Sequence, residues 1–258
     1  MKHVLLVNDD GIHSQGIHAL SEYFLEKGWQ VSVVAPADNQ SGKAFSITIA
    51  EPVKITANTD NHMADFKRWS VHGTPVDCVK LALYELLPTY PDLVVSGINA
   101  GANTGFNIQY SGTVAAALEA QAHGIPALAL SIDEYIPNEE HYVHSIEVLD
   151  WILTHWDLDT QFVLNINIPS KQTGSPSEFS RITSRLIHKP NGKYHEVSKS
   201  KHQLGEVEGT FNSEHPEDTD VGALSRGLVS ITPLKLSYDA VHENDQLREL
   251  FKGKINDK

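Results

Sequence analysis

The run HVLLVNDDG, residues 3–11, decides how the rest of the chain is read. His3 to Val7 is a short apolar run that stops at Asn8-Asp9-Asp10-Gly11, which is the pattern of a buried strand ending in a polar turn. Ile17, Leu20 and Phe24 then repeat at helical spacing until Gly28, placed as the glycine just past a helix end, and Gln30 to Val34 returns as a second strand. Strand, helix and strand in that order predict a βαβ unit, and the alternation persists to about residue 133. The expected fold class is α/β, with a largely parallel sheet flanked by helices.

Further along, Thr74-Pro75-Val76-Asp77 combines an N-cap threonine, a proline at the first helical position and an acid three residues after the cap. It predicts a helix with Val76, Val79, Leu83 and Leu86 on one face. Asp92 to Ser96 reads as a strand, Thr113 to about Ala122 as a helix and Ile125 to Ile132 as the next strand. Val143, Ile146, Leu149 and Ile152 mark another helix, and Phe162 to Ile168 another strand. From 171 to 222 the chain is polar and turn-rich, with Lys189-Pro190-Asn191-Gly192-Lys193 as the tip of a protruding hairpin. Leu228 to Leu234 is a late strand and Gln246 to Phe251 a short terminal helix. Residues 1–170 are therefore expected to form the catalytic core, and 171–258 a C-terminal extension.

Composition narrows the function. Dividing 258 residues by roughly 150 per domain gives about 1.7, one large domain with an appendage. Twenty Lys and Arg against 33 Asp and Glu give a net charge of −13, the wrong sign for gripping a long nucleic acid through its phosphates. The single cysteine, Cys78, excludes a disulfide framework and any multi-cysteine zinc site. Only Val4 to Val7 follow the basic N-terminus before Asn8, too short for a secretory segment, and no apolar run approaches the ~18 residues of a membrane span. A cytoplasmic protein without a membrane partner is expected. Fourteen histidines include no HExxH pattern, His13 at the crevice rim is read as helix-start polarity, and Cys78 as a small core residue.

Chemistry is expected where strands end, because ligands of open α/β sheets bind beyond the carboxyl ends of the strands. Asp9 and Asp10 sit there, and they admit two readings: a polar turn with a helix cap, or a carboxylate pair kept ionised by a hard divalent cation. After the second strand comes Pro36-Ala37-Asp38-Asn39-Gln40-Ser41-Gly42-Lys43. It lacks the first glycine and the final hydroxyl of a phosphate-binding P-loop, so only Ser41 stands out as an oxygen donor. After the strand ending at Ser96, three glycines (Gly97, Gly101 and Gly105) precede Ser111-Gly112-Thr113, whose Gly112 is a fourth, at a helix start, a natural anion site. A glycine-rich loop with a simple helix cap is the plainer reading of the same stretch. Two carboxylates, a hydroxyl and an amide oxygen would suit Mg²⁺ or Mn²⁺ and leave room for water and phosphate, as metal-assisted phosphate ester hydrolysis requires.

The runs NDDG (8–11), PxxxQSG (36–42), HGTPVDCV (72–79), PDLVVSGINAGAN (91–103), YSGTVAAALEA (110–120) and SITPL (230–234) resemble, in order, the signature of the SurE family of survival-protein nucleotidases. The resemblance implies a Rossmann-like core, one divalent cation per subunit (Mg²⁺ or Mn²⁺), and hydrolysis of nucleoside 5′- and 3′-monophosphates, with short polyphosphate as a further substrate. It places the metal on Asp9, Asp10, Ser41 and Asn99, makes Asp9 and Asp10 the catalytic pair, and assigns the substrate phosphate to Asn103, Ser111, Gly112 and Thr113. It also implies a homodimer or homotetramer assembled through the C-terminal segments. Where the family often has Ala-Pro before the first helix, this chain has Ser14-Gln15. Asp218 and Asp220 are read as loop acids. The alternative from a different class is a non-hydrolytic nucleotide-binding or receiver-like signalling module, which also carries paired acids after its first strand.

Overall fold

The computed structural model describes residues 1–57, 66–157, 161–170 and 217–237, together with the backbone of 182–183. Six parallel strands form its centre: β1 (His3–Val7), β2 (Gln30–Pro36), β4 (Phe66–Val71), β5 (Leu93–Ala100), β6 (Ala127–Asp133) and β7 (Val163–Pro169). β3 (Ile55–Ala57) adds antiparallel to β4, β9 (Ser230–Leu234) antiparallel to β7, and β8 (Ile182–Thr183) parallel to β9. The order across the sheet is β3-β4-β2-β1-β5-β6-β7-β9-β8. The chain therefore runs outward from β1 in one direction, then returns to its other side at β5. A doubly wound sheet binds its ligands at that reversal, and the loops after β1 and β5 flank it.

Side chains alternate across each strand, so β1 sends Val4 and Leu6 into one hydrophobic cluster, and Leu5 and Val7 into the other. Burial on both faces is why the strand reads as an unbroken apolar run. The first cluster lies under α1 (Gln15–Glu26) and α4 (Glu139–His155) and holds Ile17, Leu20, Phe24, Val33, Leu128, Leu149 and Ile166. Phe24 is fully buried, and Phe24→Ala would remove about 3–5 kcal/mol. The second cluster lies under α2 (Pro75–Leu81) and α3 (Gly112–Ala122), where small residues such as Ala116 and Ala120 let α3 approach the sheet closely.

Helix ends follow the local chemistry. α1 closes with Trp29 N–H donating to the Phe24 carbonyl and Gly28 N–H to the Leu25 carbonyl, both at 3.0 Å, the paired bonds that a glycine after a helix permits. At α2, Thr74 Oγ1 accepts from Asp77 N–H at 3.1 Å while Asp77 Oδ2 accepts from Thr74 N–H at 2.9 Å, a complete capping box. The helix then continues as a π-helical turn, Ala82–Leu86.

Two expectations shift. Ser96 to Ala100, read from sequence as the start of a loop, is the end of β5: the register slips between Ser96 and Asn99, and pairing resumes as Asn99 with Ser131 and Ala100 with Ile132. Gly97 makes this possible, since with φ of 139° a Cβ there would lie 2.3 Å from the Leu130 carbonyl oxygen. In α4 the expected face holds at Ile146, Leu149 and Ile152, whereas Val143 is 55% exposed and His144, Ser145 and Val148 complete the inward side. Ser145 tolerates that position because its hydroxyl donates to the His141 carbonyl at 2.7 Å. The late strand expected near 228–234 is β9, preceded by α5 (Asp220–Ser225), and it lies in the same sheet as β1 to β7. The hairpin tip at 189–193 and the helix at 246–251 lie outside the described residues.

Candidate active site

The turn after β1 is built by Asn8, which is wholly buried. Its side-chain nitrogen donates to the Gly11 carbonyl at 2.9 Å and to Ser14 Oγ at 2.7 Å, and its oxygen accepts from Gly11 N–H at 3.2 Å. Ser14 in turn caps α1. With the turn closed from behind, Asp9 and Asp10 diverge. Asp9, 3% exposed, faces the start of α3: Oδ1 accepts from the Thr113 hydroxyl at 2.6 Å, and Oδ2 from Thr113 N–H at 3.3 Å. Asp10 faces β5, where its Oδ2 accepts from Ala100 N–H at 3.2 Å.

The anion held at the N-terminus of α3 is thus a carboxylate of the protein itself. Gly112 makes the approach possible: a Cβ there would lie 2.9 Å from Pro75 Cγ and 3.0 Å from both Asp9 Cβ and Asp9 Oδ2. Burial raises the Asp9 pKa above the ordinary carboxylate value against the opposing hydrogen bonds from Thr113. Burial and then the neighbouring charge of Asp9 push Asp10 up to about 6. A divalent cation between them would relieve both causes, because it replaces lost hydration and screens like charge.

The loop after β2 is laced to this turn. Ile12 N–H donates to the Pro36 carbonyl at 2.8 Å, Gln40 N–H to the Asp9 carbonyl at 2.7 Å, and Ala44 N–H to the Tyr110 carbonyl at 3.1 Å. Ser41 is therefore one residue from a direct contact with Asp9; it is exposed, with its N–H on Asn39 Oδ1 at 2.9 Å. Asn99, 8% exposed near the end of β5, donates its side-chain nitrogen to the Gly101 carbonyl at 2.6 Å, which leaves the amide oxygen as its acceptor end. Among the described residues no three His, Cys, Asp or Glu converge. The donors gathered here are hard oxygens of mixed type, a set suited to Mg²⁺ or Mn²⁺.

The four residues expected at the substrate phosphate divide into two pairs. Gly112 and Thr113 touch Asp9. Ser111 is the N-cap of α3, its Oγ accepting from Val114 N–H at 3.1 Å, and Asn103 donates its side-chain nitrogen to Ser131 Oγ at 2.9 Å. Sequence reasoning passed over Asn8, and also Asn165 and Asn167 of β7, both fully buried with their side-chain nitrogens on the Asn103 carbonyl at 2.8 and 3.0 Å. Their signal was visible as two amides on an otherwise apolar strand. Asp220, expected to be a loop acid, is fully buried and accepts from Gly105 N–H, because the segment before β9 packs under the glycine-rich loop. Cys78 is buried, and burial raises its thiol pKa well above the ordinary value, consistent with a core residue.

Fold and crevice define a class: a doubly wound α/β protein with adjacent carboxylates, one buried and one half-buried, and neutral oxygen donors at its topological switch point. No helix among the described residues is long and apolar enough to cross a membrane. The sequence pattern of the family described as survival protein SurE matches residues 4–189, and the chain belongs to that family. It is 37% identical to a protein named 5′-nucleotidase SurE from Carboxydothermus hydrogenoformans, over 97% of this chain and 96% of that one. It is 45% identical to the 5′-nucleotidase SurE of Desulfovibrio desulfuricans over 65% of this chain and 66% of that protein. The crystal structure of the SurE protein from Aquifex aeolicus superposes with a TM-score of 0.77 at 34% identity, covering 96% of this chain and 99% of that one.

Proposed function

We propose that the protein is a metal-dependent 5′-nucleotidase, a phosphomonoesterase that converts nucleoside 5′-monophosphates, and 3′-monophosphates and short polyphosphate as further substrates, by direct attack of water. The observation that carries this is the pair of buried Asp9 and half-buried Asp10 at the switch point, in a chain whose near-full-length relatives bear the name 5′-nucleotidase. Asp9, Asp10, Ser41 and Asn99 would hold one divalent cation per subunit, Mg²⁺ or Mn²⁺, which supplies charge neutralisation at the phosphoryl oxygens and a more acidic water. Asp9 is fixed for this by Thr113 and by the start of α3, and Asp10 by the Ala100 amide. Ser111 offers a hydroxyl proton to the substrate phosphate beside the Gly112 backbone, while Thr113 and Asn103 serve it through the groups they position. Asp9 and Asp10 orient the attacking water in line with the leaving ribose oxygen. A receiver-like module would need a third aspartate at a neighbouring strand end, where this chain has Ser41 and Asn99.

The test is phosphate release from a panel of nucleoside monophosphates with Mn²⁺, with Mg²⁺ and with EDTA. Release that requires the metal is expected; none from any substrate would sink the enzyme reading. The C-terminal extension, residues 171–258, is proposed to assemble the chain into a homodimer or homotetramer, which light scattering resolves. A single cysteine fits a reducing compartment, and the cytoplasm is proposed as the site of the activity.

A further inference from the structure

The 3₁₀ turn Gly105–Tyr110 carries the chain from the glycine-rich loop to Ser111, and its N-cap residue, Thr104, makes no side-chain cap hydrogen bond. The Gly105 N–H is instead taken by a carboxylate 115 residues later: Asp220 Oδ2 accepts it at 2.5 Å, while Oδ1 accepts from Val221 N–H at 2.9 Å. Asp220 is 0% exposed. Burying a carboxylate costs several kcal/mol, and a hydrogen bond to an ionised acceptor is shorter and stronger than a neutral one. The chain thus holds this one amide with the strongest acceptor it has.

Two residues upstream, Asn167 grips the same loop by the backbone. Its Oδ1 accepts from Asn103 N–H at 2.7 Å and its Nδ2 donates to the Asn103 carbonyl at 3.0 Å, the pair of bonds that a neighbouring strand would make. The 103–105 segment is therefore pinned from β7 and from α5. Asn99 lies at one end of it and Ser111 to Thr113 at the other, so slack in the middle displaces both ends.

We infer that Asp220 is a positioning residue for the reaction: it sets the glycine-rich loop, and through it Ser111 and the start of α3, relative to Asp9. This rests on the nucleotidase reading above. The site is then completed by a segment some 110 residues beyond its own loop.

The experiment uses the full chain and compares wild type with Asp220→Ala, Asp220→Asn and Asn167→Asp. It measures kcat and KM for one nucleoside monophosphate, Mn²⁺ binding by electron paramagnetic resonance, and the thermal midpoint. Asp220→Ala should lower kcat/KM by about 100-fold, the scale of a 1 Å misplacement. Asp220→Asn should fall between, since its amide oxygen can serve only one of the two N–H groups. Asn167→Asp, which turns an oxygen toward the Asn103 carbonyl, should show the same kinetic signature. Mn²⁺ binding should weaken less than kcat/KM, because three of the four proposed ligands, Asp9, Asp10 and Ser41, hang from β1 and β2 and only Asn99 lies at the start of the loosened loop. Should Asp220→Ala not fold, the two milder variants carry the test. Folded variants with wild-type kcat and KM would overturn the assignment, as would activity losses that only track the folded fraction. Absence of metal-dependent release by the wild type would overturn the nucleotidase reading itself, and the positioning role with it.

Discussion

Gly112→Ala tests the idea that a missing side chain, and not only the ligands present, builds the site. A methyl at 112 would sit 2.9 Å from Pro75 Cγ and 3.0 Å from Asp9 Cβ and Oδ2. Carbon atoms prefer about 3.5–4.0 Å, so something must move by about 0.5–1 Å. Pro75 is held at the first turn of α2 by the Thr74–Asp77 capping box, whereas the Asp9 carboxylate can swing away about its side-chain bonds and its Cβ yields with a small shift of the turn after β1. Asp9 should give way, and by more than the ~0.2 Å that a metal–ligand distance tolerates. Helix propensity favours alanine by up to about 1 kcal/mol, against about 1–3 kcal/mol for overpacking, so the variant should fold with a melting point lowered by a few degrees. Its apparent Mn²⁺ affinity should drop by about 10- to 100-fold, the usual effect of disturbing the groups that orient a ligand. Titrating phosphate release against Mn²⁺, alongside a thermal melt, measures both quantities. A folded variant with wild-type turnover and wild-type metal affinity would refute the reasoning.

Other perturbations separate charge from geometry. Asp9→Asn should abolish metal-dependent phosphate release and Mn²⁺ binding while leaving the metal-free protein folded; near-normal turnover at low metal would show that the ligand assignment is wrong. Asp10→Asn should make the metal-free protein more stable at pH 7.5. The folded pKa of Asp10 is raised from 3.8 to about 6, so its ionised form opposes folding on the order of 2–3 kcal/mol above that range, and the penalty fades as pH falls below it. Melting in EDTA at pH 7.5 and pH 4 checks this, and a lower midpoint for the variant at pH 7.5 counts against it. Asp77→Ala should cost about 2–4 kcal/mol at neutral pH, because the carboxylate takes Thr48 N–H, Thr48 hydroxyl and Thr74 N–H at 3.0, 2.7 and 2.9 Å. Burial alone would raise the Asp77 pKa, but those bonds from Thr48 and Thr74 outweigh it and leave the net shift downward, so this stabilisation should disappear as pH falls through the carboxylate range. Urea unfolding at pH 7 and pH 3 measures the difference.

The parts of the fold that were legible in the sequence are those where local and global demands agree. β1, α1 and α2 carry apolar runs, helical spacing and caps that mean the same thing at every scale. The end of β5 was read as loop because glycine argues against a strand locally, whereas the Leu130 carbonyl approaches so closely that only glycine lets the ladder continue. The carboxylates at the crevice were legible from position alone. What holds them was not: Thr113 lies 104 residues from Asp9, and no spacing rule connects them. The amides of β7 and the carboxylate of α5 escaped for the same reason, since a buried polar residue declares its purpose only through a partner distant in sequence.

That Asp9 already occupies the start of α3 sets an order of events. An anion entering the metal-free crevice meets two carboxylates and a helix end whose amides are engaged. Lys43 is the only lysine or arginine within residues 8–14, 36–43 and 97–112, and the chain carries −13 overall. On the proposed assignment, substrate, product phosphate and phosphate-like inhibitors should gain a foothold only after the cation is bound. The kinetics should show compulsory order: free phosphate competes with the nucleotide when metal is abundant, and neither binds nor protects the protein from unfolding once the metal is stripped away.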